Sequence, residues 1–197
     1  MRVVWGAAAL ALLLGAGVSA NAEDRGQGPV VVELYTSQGC SSCPPADEIF
    51  AGLTARPDVI ALALHVDYWD YIGWKDSFGR SQFTERQRAY ARVAGARTIY
   101  TPQMIVSGME HLVGVRPAEL MSMITRHAAM PAKAELRAQR EGGMVRITAN
   151  PMQALDAGAV VEIIRYMPQA TVEIRGGENA GRAITYHNIV TDWQRIG

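Results

Sequence analysis

The sequence holds few residues of the types that build disulfide frameworks and metal sites. Two of its 197 residues are cysteines, and its four histidines are scattered along the chain. Cys40 and Cys43 lie three positions apart, whereas a framework disulfide usually closes a long loop and so removes much of the entropy of the unfolded chain. A bridge this short stabilises weakly and is better suited to being made and broken.

The sequence also lacks any run of like charges. Lys and Arg total 19, Asp and Glu total 19, and the formal net charge at pH 7 is zero. Nucleic acids and anionic membranes attract basic patches, and this chain offers none in its sequence. We therefore expect neither nucleic acid nor a membrane surface as a partner of the mature protein.

One long apolar run occurs, near the N-terminus, from Val3 to Leu14. It is well short of the ~20 residues of a membrane-spanning helix. Small residues, Ala20-Asn21-Ala22, follow it, as in a signal peptide over residues 1–22 that is cleaved after Ala22. An uncleaved anchor is the alternative. Export predicts a periplasmic or secreted protein, a compartment in which disulfides persist.

The two cysteines fall between a predicted strand and a predicted helix. Val30 to Tyr35 is a β-branched and aromatic run typical of a buried strand, and apolar residues recur at helical spacing from Ala46 to Leu53. The N-terminus of a helix stabilises negative charge, and a thiolate is the form of cysteine that attacks disulfides. This position favours Cys40 as a nucleophile and Cys43 as a resolving thiol.

Further elements are predicted along the rest of the chain. The pattern predicts a second buried strand over 59–66, an aromatic stretch over 67–78, a helix from Ser81 to Val93 that Gly95 would end, and a helix that starts at Pro117. Beyond Pro131 the pattern changes to alternating strands with a hairpin turn at Gly142-Gly143. Residues 23–28, rich in glycine, are expected to be a flexible segment.

Four segments carry a resemblance to a known family. They are residues 35–47, which include the Cys40-Ser41-Ser42-Cys43 motif, residues 65–70, residues 100–104 and residues 177–182. They are similar to an uncharacterised family of secreted bacterial proteins within the thioredoxin-like superfamily. The resemblance implies an α/β chain: a thioredoxin-like domain over 29–130 with an aromatic-rich insertion, followed by an antiparallel β-rich C-terminal unit over 131–197.

The superfamily resemblance also implies roles for particular residues. Cys40 resembles the nucleophile, Cys43 the resolving cysteine, and Pro102 the cis-proline that, with Thr101, shapes the substrate groove. Thioredoxins usually carry a buried acid on the first strand, for which Glu33 is the candidate here, one position further from the cysteines. An arginine partner for Glu33 is the alternative interpretation. The aromatic residue usual before the first cysteine is replaced by Gly39.

Three functions fit the cysteine pair. The favoured one is thiol–disulfide exchange with protein thiols or disulfides as partners and no cofactor. The second is a non-enzymatic binding module that keeps a permanent Cys40–Cys43 bridge. The third is a copper or zinc site completed by His65, although no third cysteine is present. A structural, hydrogen-bonded role is the alternative for His65.

Two other groups of residues have an ordinary structural interpretation beside a functional one. Trp69 and Trp74 could form an apolar wall for a partner next to the cysteines, or pack inside the insertion. Asp67, Asp70 and Asp76 are more typical of turn caps than of metal ligands. The segment 178–181 is interpreted as a turn, without chemistry of its own.

The first testable expectation concerns export. The mature protein should begin at Glu23 and be released with the soluble periplasmic contents, because the signal peptide is removed. N-terminal sequencing of protein from cell fractions measures this. Extraction that requires detergent, with residue 1 retained, would show an anchor instead.

Overall fold

The computed structural model describes residues 28–155 and 158–197. The predicted signal peptide lies outside the described residues. Within them the chain forms eight strands and three α-helices in an α/β arrangement that is mostly β. The strands are β1 (Val30–Thr36), β2 (Val59–His65), β3 (Gln103–Val106), β4 (Glu110–Val113), β5 (Ala134–Glu141), β6 (Met144–Pro151), β7 (Glu162–Glu173) and β8 (Ala183–Arg195). The helices are α1 (Pro44–Ala51), α2 (Ser81–Val93) and α3 (Pro117–Ala128).

Six of the strands in the described part of the chain form one sheet, in the order β4-β3-β1-β2-β8-β7. β1 and β2 are parallel and joined through α1, while β3 runs antiparallel to β1 on its other side. The carboxyl ends of β1 and β2 therefore lie together, with Thr36 opposite His65. At such an edge of a parallel pair, the loop and helix that follow a strand often form a binding site.

β1 contributes side chains to both faces of the sheet. Val32 and Leu34 pack in a core with Phe50 of α1, whereas Tyr35 packs in a second core with Phe83 of α2. This follows from the two-residue period of a strand, which sends successive side chains to opposite faces. Even-numbered residues of β1 face α1, and odd-numbered ones face α2.

The ends of α2 and α3 follow from local sequence signals. α2 spans the predicted residues, and Gly95 after its end has a φ of 67°, a conformation that glycine adopts without steric cost. α3 begins at Pro117, whose fixed φ suits the first helical position. No helix among residues 28–155 and 158–197 has the length and apolar composition to cross a membrane.

The four strands after Pro131 lie in two sheets. β5 and β6 pair only with each other, along the hairpin at Gly142-Gly143. β7 and β8 instead extend the main sheet, since Ile189 of β8 pairs in parallel with Ala63 of β2. The loop between β7 and β8 contacts the cysteine turn, since the Asn179 side chain donates to the carbonyls of Gln38 and Cys40.

A buried ion pair fastens α2 to the sheet. Both oxygens of Glu33, on β1, accept hydrogen bonds from Arg86 of α2, at 3.0 and 2.7 Å. The hydroxyls of Tyr35 and Tyr90 donate to the same carboxylate. The Glu33 side chain is 3% exposed, so its charge depends on these partners for compensation.

Replacing Arg86 by methionine should lower the free energy of unfolding by about 3 kcal/mol, because the buried Glu33 charge then loses its counter-charge. Urea denaturation at pH 7 measures this. Arg88→Met is the matched control: its exposed pair with Glu85 should contribute under about 1 kcal/mol. Equal losses of unfolding free energy in the two variants would show that the buried Glu33–Arg86 pair stabilises the protein no more than an exposed pair does.

Candidate functional site

Cys40 and Cys43 form a disulfide in the turn between β1 and α1. Their Cα atoms are 5.4 Å apart, and α1 starts at the residue after Cys43. Both residues are 0% exposed. The structure therefore has the pair between strand and helix, where the sequence predicted it, but covers Cys40 as completely as Cys43.

Local bonds shape the turn that holds the disulfide. The amide of Cys40 donates to the Ser37 carbonyl, and the amide of Cys43 donates to the Cys40 carbonyl. The Ser42 hydroxyl lies 3.4 Å from the Cys40 sulfur, within hydrogen-bonding range of sulfur. The Cys40 sulfur thus has a hydroxyl neighbour on the helix side.

The aromatic stretch covers one side of this turn. A Cβ on Gly39 would lie 3.2 Å from both Ile72 and Trp69, so a side chain before Cys40 would require these neighbours to shift by a few tenths of an ångström. The Trp69 indole donates to the Thr101 hydroxyl at 2.8 Å, and the Trp74 indole donates to the Gln38 side chain at 2.8 Å. Both tryptophans are half-buried and contact the residues around the disulfide.

Thr101 and Pro102 lie near the cysteine turn, and each contacts a different part of the chain. Their peptide bond is cis. Thr101 is tied to Trp69, while Pro102 is buried near α1: a Cβ on Gly114 would lie 2.9 Å from Ala46 and 3.0 Å from Pro102. The predicted groove residues therefore lie beside the first turn of α1.

Glu33 lies on the other face of the sheet. It occupies an odd-numbered position of β1, with Tyr35, and is engaged by Arg86. Of the two interpretations of Glu33, the structure has the one with an arginine partner. It does not bring this carboxylate to the α1 face, on which Ala46 packs.

A different buried acid lies on the α1 face. Asp47 follows Cys43 by four residues and its amide donates to the Cys43 carbonyl, so the two side chains share one side of the helix. Burial raises the pKa of Asp47 to about 7, against the opposing influence of His65 and Thr36. The Thr36 hydroxyl lies near Asp47 but makes no hydrogen bond to it, since this hydroxyl and Asp47 Oδ2 both lack a hydrogen-bond partner.

Two more buried groups without a partner belong to this cluster: His65 Nε2 and the Tyr186 hydroxyl. The two rings contact edge to face, with centroids 4.8 Å apart. His65 Nδ1 lies 2.7 Å from Asp76. Although burial opposes it, His65 and the amides of Gln38 and Phe78 hold the pKa of Asp76 below its usual value. Asp76 is therefore the acceptor, and Nδ1 of His65 carries the proton.

Asp47 also borders an open groove between α1 and β8, with a volume of about 300 Å³. Glu48 of α1 and Arg182, Thr185 and His187 at and before β8 line the same groove. Asp47 itself is 6% exposed. A proton on Asp47 therefore has a short path to solvent.

The loop between β7 and β8 covers the other side of the disulfide turn. Asn179 is buried, and its side-chain amide donates to the carbonyls of Gln38 and Cys40, both at 2.9 Å. Glu178 is exposed, and its carboxylate accepts from the Ser41 hydroxyl at 2.6 Å and the Ser41 amide at 3.3 Å. A segment that the sequence suggested to be a plain turn thus contacts the cysteine motif directly.

Sequence reasoning did not select Asp47, Glu178 or Asn179 as site residues. The available signal for Asp47 was its spacing, four residues after Cys43 on a predicted helix. For Glu178 and Asn179 the signal was an acid and an amide within a glycine-rich segment that is part of the family resemblance. His65 has the hydrogen-bonded structural role given as its alternative, since Asp76 and two aromatic rings occupy its surroundings.

The described residues around the cysteines form no preformed metal site. Among the residues that the structure describes, no three His, Cys, Asp or Glu side chains are grouped so that they could hold an ion. His65, suggested as the third ligand, contacts Asp76. The disulfide also removes both thiolates while it is formed.

Comparison with known proteins identifies a family. A crystal structure of a protein from Agrobacterium tumefaciens is similar over 87% of this chain and 73% of its own, with 33% identity and a TM-score of 0.74. A thioredoxin of Malassezia sympodialis matches over 53% of this chain and 81% of its own, with 21% identity and a TM-score of 0.34. This second likeness is distant and carries no weight for the function. No curated protein matches the chain.

The family model described as protein of unknown function (DUF1223) matches residues 31–197. That range includes the disulfide, the aromatic stretch and the loop that holds Glu178 and Asn179. By this match the chain belongs to the DUF1223 family.

Proposed function

We propose that the protein is an exported thiol–disulfide oxidoreductase of thioredoxin-like architecture, which exchanges electrons with the thiols or disulfides of partner proteins. The observation that carries the proposal is the Cys40–Cys43 disulfide at the start of the helix that follows β1. The positive end of the α1 dipole lies next to the cysteines and favours a thiolate, although Pro44 and Pro45 supply no N–H groups, and so lowers the free energy of the reduced pair.

The surroundings of the pair support the thioredoxin-like interpretation. β1, α1 and β2 follow one another in the order expected of a thioredoxin-like fold, and β3 and β4 follow as an antiparallel pair. On one face of the sheet, α3 packs in the same core as α1. Thr101 and Pro102 lie beside the first turn of α1, where a partner chain would approach the sulfurs. A disulfide also suits the periplasmic or extracellular location that the signal peptide predicts.

The proposed exchange conserves atoms and electrons. In the reduced protein, the Cys40 thiolate attacks a partner disulfide, and one partner sulfur leaves as a thiolate. Cys43 then loses its proton and attacks the Cys40 sulfur, which re-forms the Cys40–Cys43 bond and releases the second partner thiolate. Two electrons pass from the cysteine pair to the partner, and the reverse sequence oxidises a partner dithiol.

Asp47 is the residue placed to take the Cys43 proton. It is one helical turn beyond Cys43, on the same face, and a pKa of about 7 allows it to accept and release a proton near neutral pH. Its border on the open groove gives the proton a way to solvent. Glu33, the acid suggested by resemblance, is neutralised by Arg86 on the other face.

A second candidate function is favoured by one observation, the complete burial of Cys40. A disulfide that no partner reaches serves as a static bridge in a binding module. Exchange therefore requires a movement that exposes the Cys40 sulfur. The two functions differ in whether partner proteins ever become covalently attached to Cys40.

Trapping distinguishes the two functions. Cys43→Ser should accumulate mixed disulfides with partner proteins in the native compartment, because no thiol remains to release them. Non-reducing electrophoresis, with and without reductant, measures this. Cys40→Ser is the control and should trap several-fold less. If Cys43→Ser traps no more than this control, the static bridge is the better function.

The role of Asp47 predicts a pH-dependent stability. The folded protein holds a proton on Asp47 up to pH about 7, whereas an unfolded aspartate releases it near pH 4. Its neutral form therefore contributes stability that is fully present below about pH 4 and is lost as pH rises through about 7. In Asp47→Asn this decline should shrink, so that the variant gains on the order of 3 kcal/mol relative to the wild type between pH 4 and pH 8.

Urea denaturation of the oxidised proteins across this pH range measures the effect. Glu48→Gln, which removes an exposed acid from the next position of α1, should leave the pH dependence nearly unchanged. Parallel stability curves for the wild type and Asp47→Asn would mean that Asp47 is already ionised at pH 5, and would remove it as the proton acceptor.

A further inference from the structure

The disulfide turn carries an acid that the exchange chemistry described above does not use. Glu178 lies in the loop between β7 and β8, more than a hundred residues from the cysteines in sequence, yet both its hydrogen bonds go to Ser41. Ser41 directly follows Cys40. A carboxylate at this point is unexpected in a site that should stabilise a thiolate, since like charges oppose each other.

We infer that Glu178 is a positioning residue that lowers the reactivity of Cys40 by holding a negative charge against the turn at the start of α1. This inference rests on the proposed function. Glu178 occupies the amide of Ser41 with its carboxylate, and so offsets part of the positive field that the helix start presents to the Cys40 sulfur. The reduced pair is then less stable as a thiolate, and the protein becomes a better electron donor.

The position of Glu178 is fixed by its neighbour. Asn179 is 1% exposed, and its amide bonds to the carbonyls of Gln38 and Cys40. Arg182 donates to the Asn179 side-chain oxygen at 3.1 Å, which orients the amide so that its N–H groups face the turn. A Cβ on Gly176 would lie 2.5 Å from the Gly73 carbonyl, so the loop is also pressed against the aromatic stretch. These contacts place Glu178 against Ser41 in the oxidised protein.

Other charged groups lie near the turn, but each is paired with another side chain or buried. On the aromatic stretch, Asp76 faces the turn through the Gln38 amide and is paired with His65 of β2. On α1, Asp47 is buried and largely neutral up to pH about 7. On the loop, Arg182 bonds to Asn179. Glu178 is the exposed acid in direct contact with the residue after Cys40.

The test measures Cys40 in the reduced mature protein, in the Cys43→Ser background. The rate of alkylation by iodoacetamide is followed from pH 4 to pH 10, and the midpoint of the profile gives the pKa of the Cys40 thiol. Glu178→Gln should lower this pKa by about 0.5 to 1 unit, which raises the thiolate fraction below the midpoint about three- to tenfold. Glu173→Gln, at an exposed acid of β7, is the matched control and should leave the midpoint unchanged.

Two substitutions separate the effect of the Glu178 charge from the effect of its contact with Ser41. Gln at position 178 still accepts from Ser41 but has no charge, whereas Glu178→Ala removes the charge and the contact together. A charge effect lowers the pKa in both variants, and 1 M salt reduces the difference from the wild type. If only Glu178→Ala changes the profile, or if neither variant does, the inference is overturned.

A second readout uses the protein with both cysteines. In a glutathione buffer, Glu178→Gln should raise the reduction potential by about 15 to 30 mV, which corresponds to a three- to tenfold change in the equilibrium constant. These measurements need no native partner. If Cys43→Ser traps no partner but Glu178→Gln still shifts the Cys40 pKa, the exchange function fails and the electrostatic role of Glu178 stands. If trapping succeeds and Glu178→Gln shifts nothing, only the role of Glu178 fails.

Discussion

The arrangement of the site depends on one requirement, that the buried backbone of the cysteine turn have hydrogen-bond partners. A buried amide or carbonyl without a partner costs about 1–3 kcal/mol. The turn cannot supply them all itself: the Gln38 amide bonds to Asp76, and the carbonyls of Gln38 and Cys40 bond to Asn179. These side chains come from the aromatic stretch and from the β7–β8 loop. The C-terminal strands are thus part of the site, because they deliver the loop that completes the turn.

The sequence was sufficient for features with a local physical cause. The bounds of α2 follow from helical spacing and from a glycine after the helix, and the start of α3 follows from Pro117. The Cys40–Cys43 pair between a strand and a helix follows from the same kind of pattern. The position of β8 beside β2 does not, because periodicity identifies a strand without identifying its partner, and this pairing joins residues more than a hundred positions apart.

The choice of acid illustrates the same limit at the scale of one side chain. Resemblance selected Glu33 because it lies on the first strand, but alternation along β1 sends it to the face of α2, where Arg86 neutralises it. Asp47 lies on the same side of α1 as Cys43, because it follows Cys43 by one helical turn. Burial raises the pKa of Asp47, while His65 and Thr36, at the ends of β2 and β1, oppose the rise, and local sequence patterns encode neither effect.

The proposed roles of Asp47 and Glu178 divide the two cysteines by environment. In this proposal Asp47, buried on the Cys43 side with a pKa raised to about 7, takes the proton of the Cys43 thiol. In this proposal Glu178, exposed on the Cys40 side and bonded to Ser41, acts on a Cys40 thiolate through the electrostatic field of its carboxylate. Above pH 7, where Asp47 is ionised, both acids oppose negative charge on the reduced pair. In this proposal their combined effect opposes that of the α1 dipole and favours the disulfide, a direction that suits electron donation to a partner disulfide.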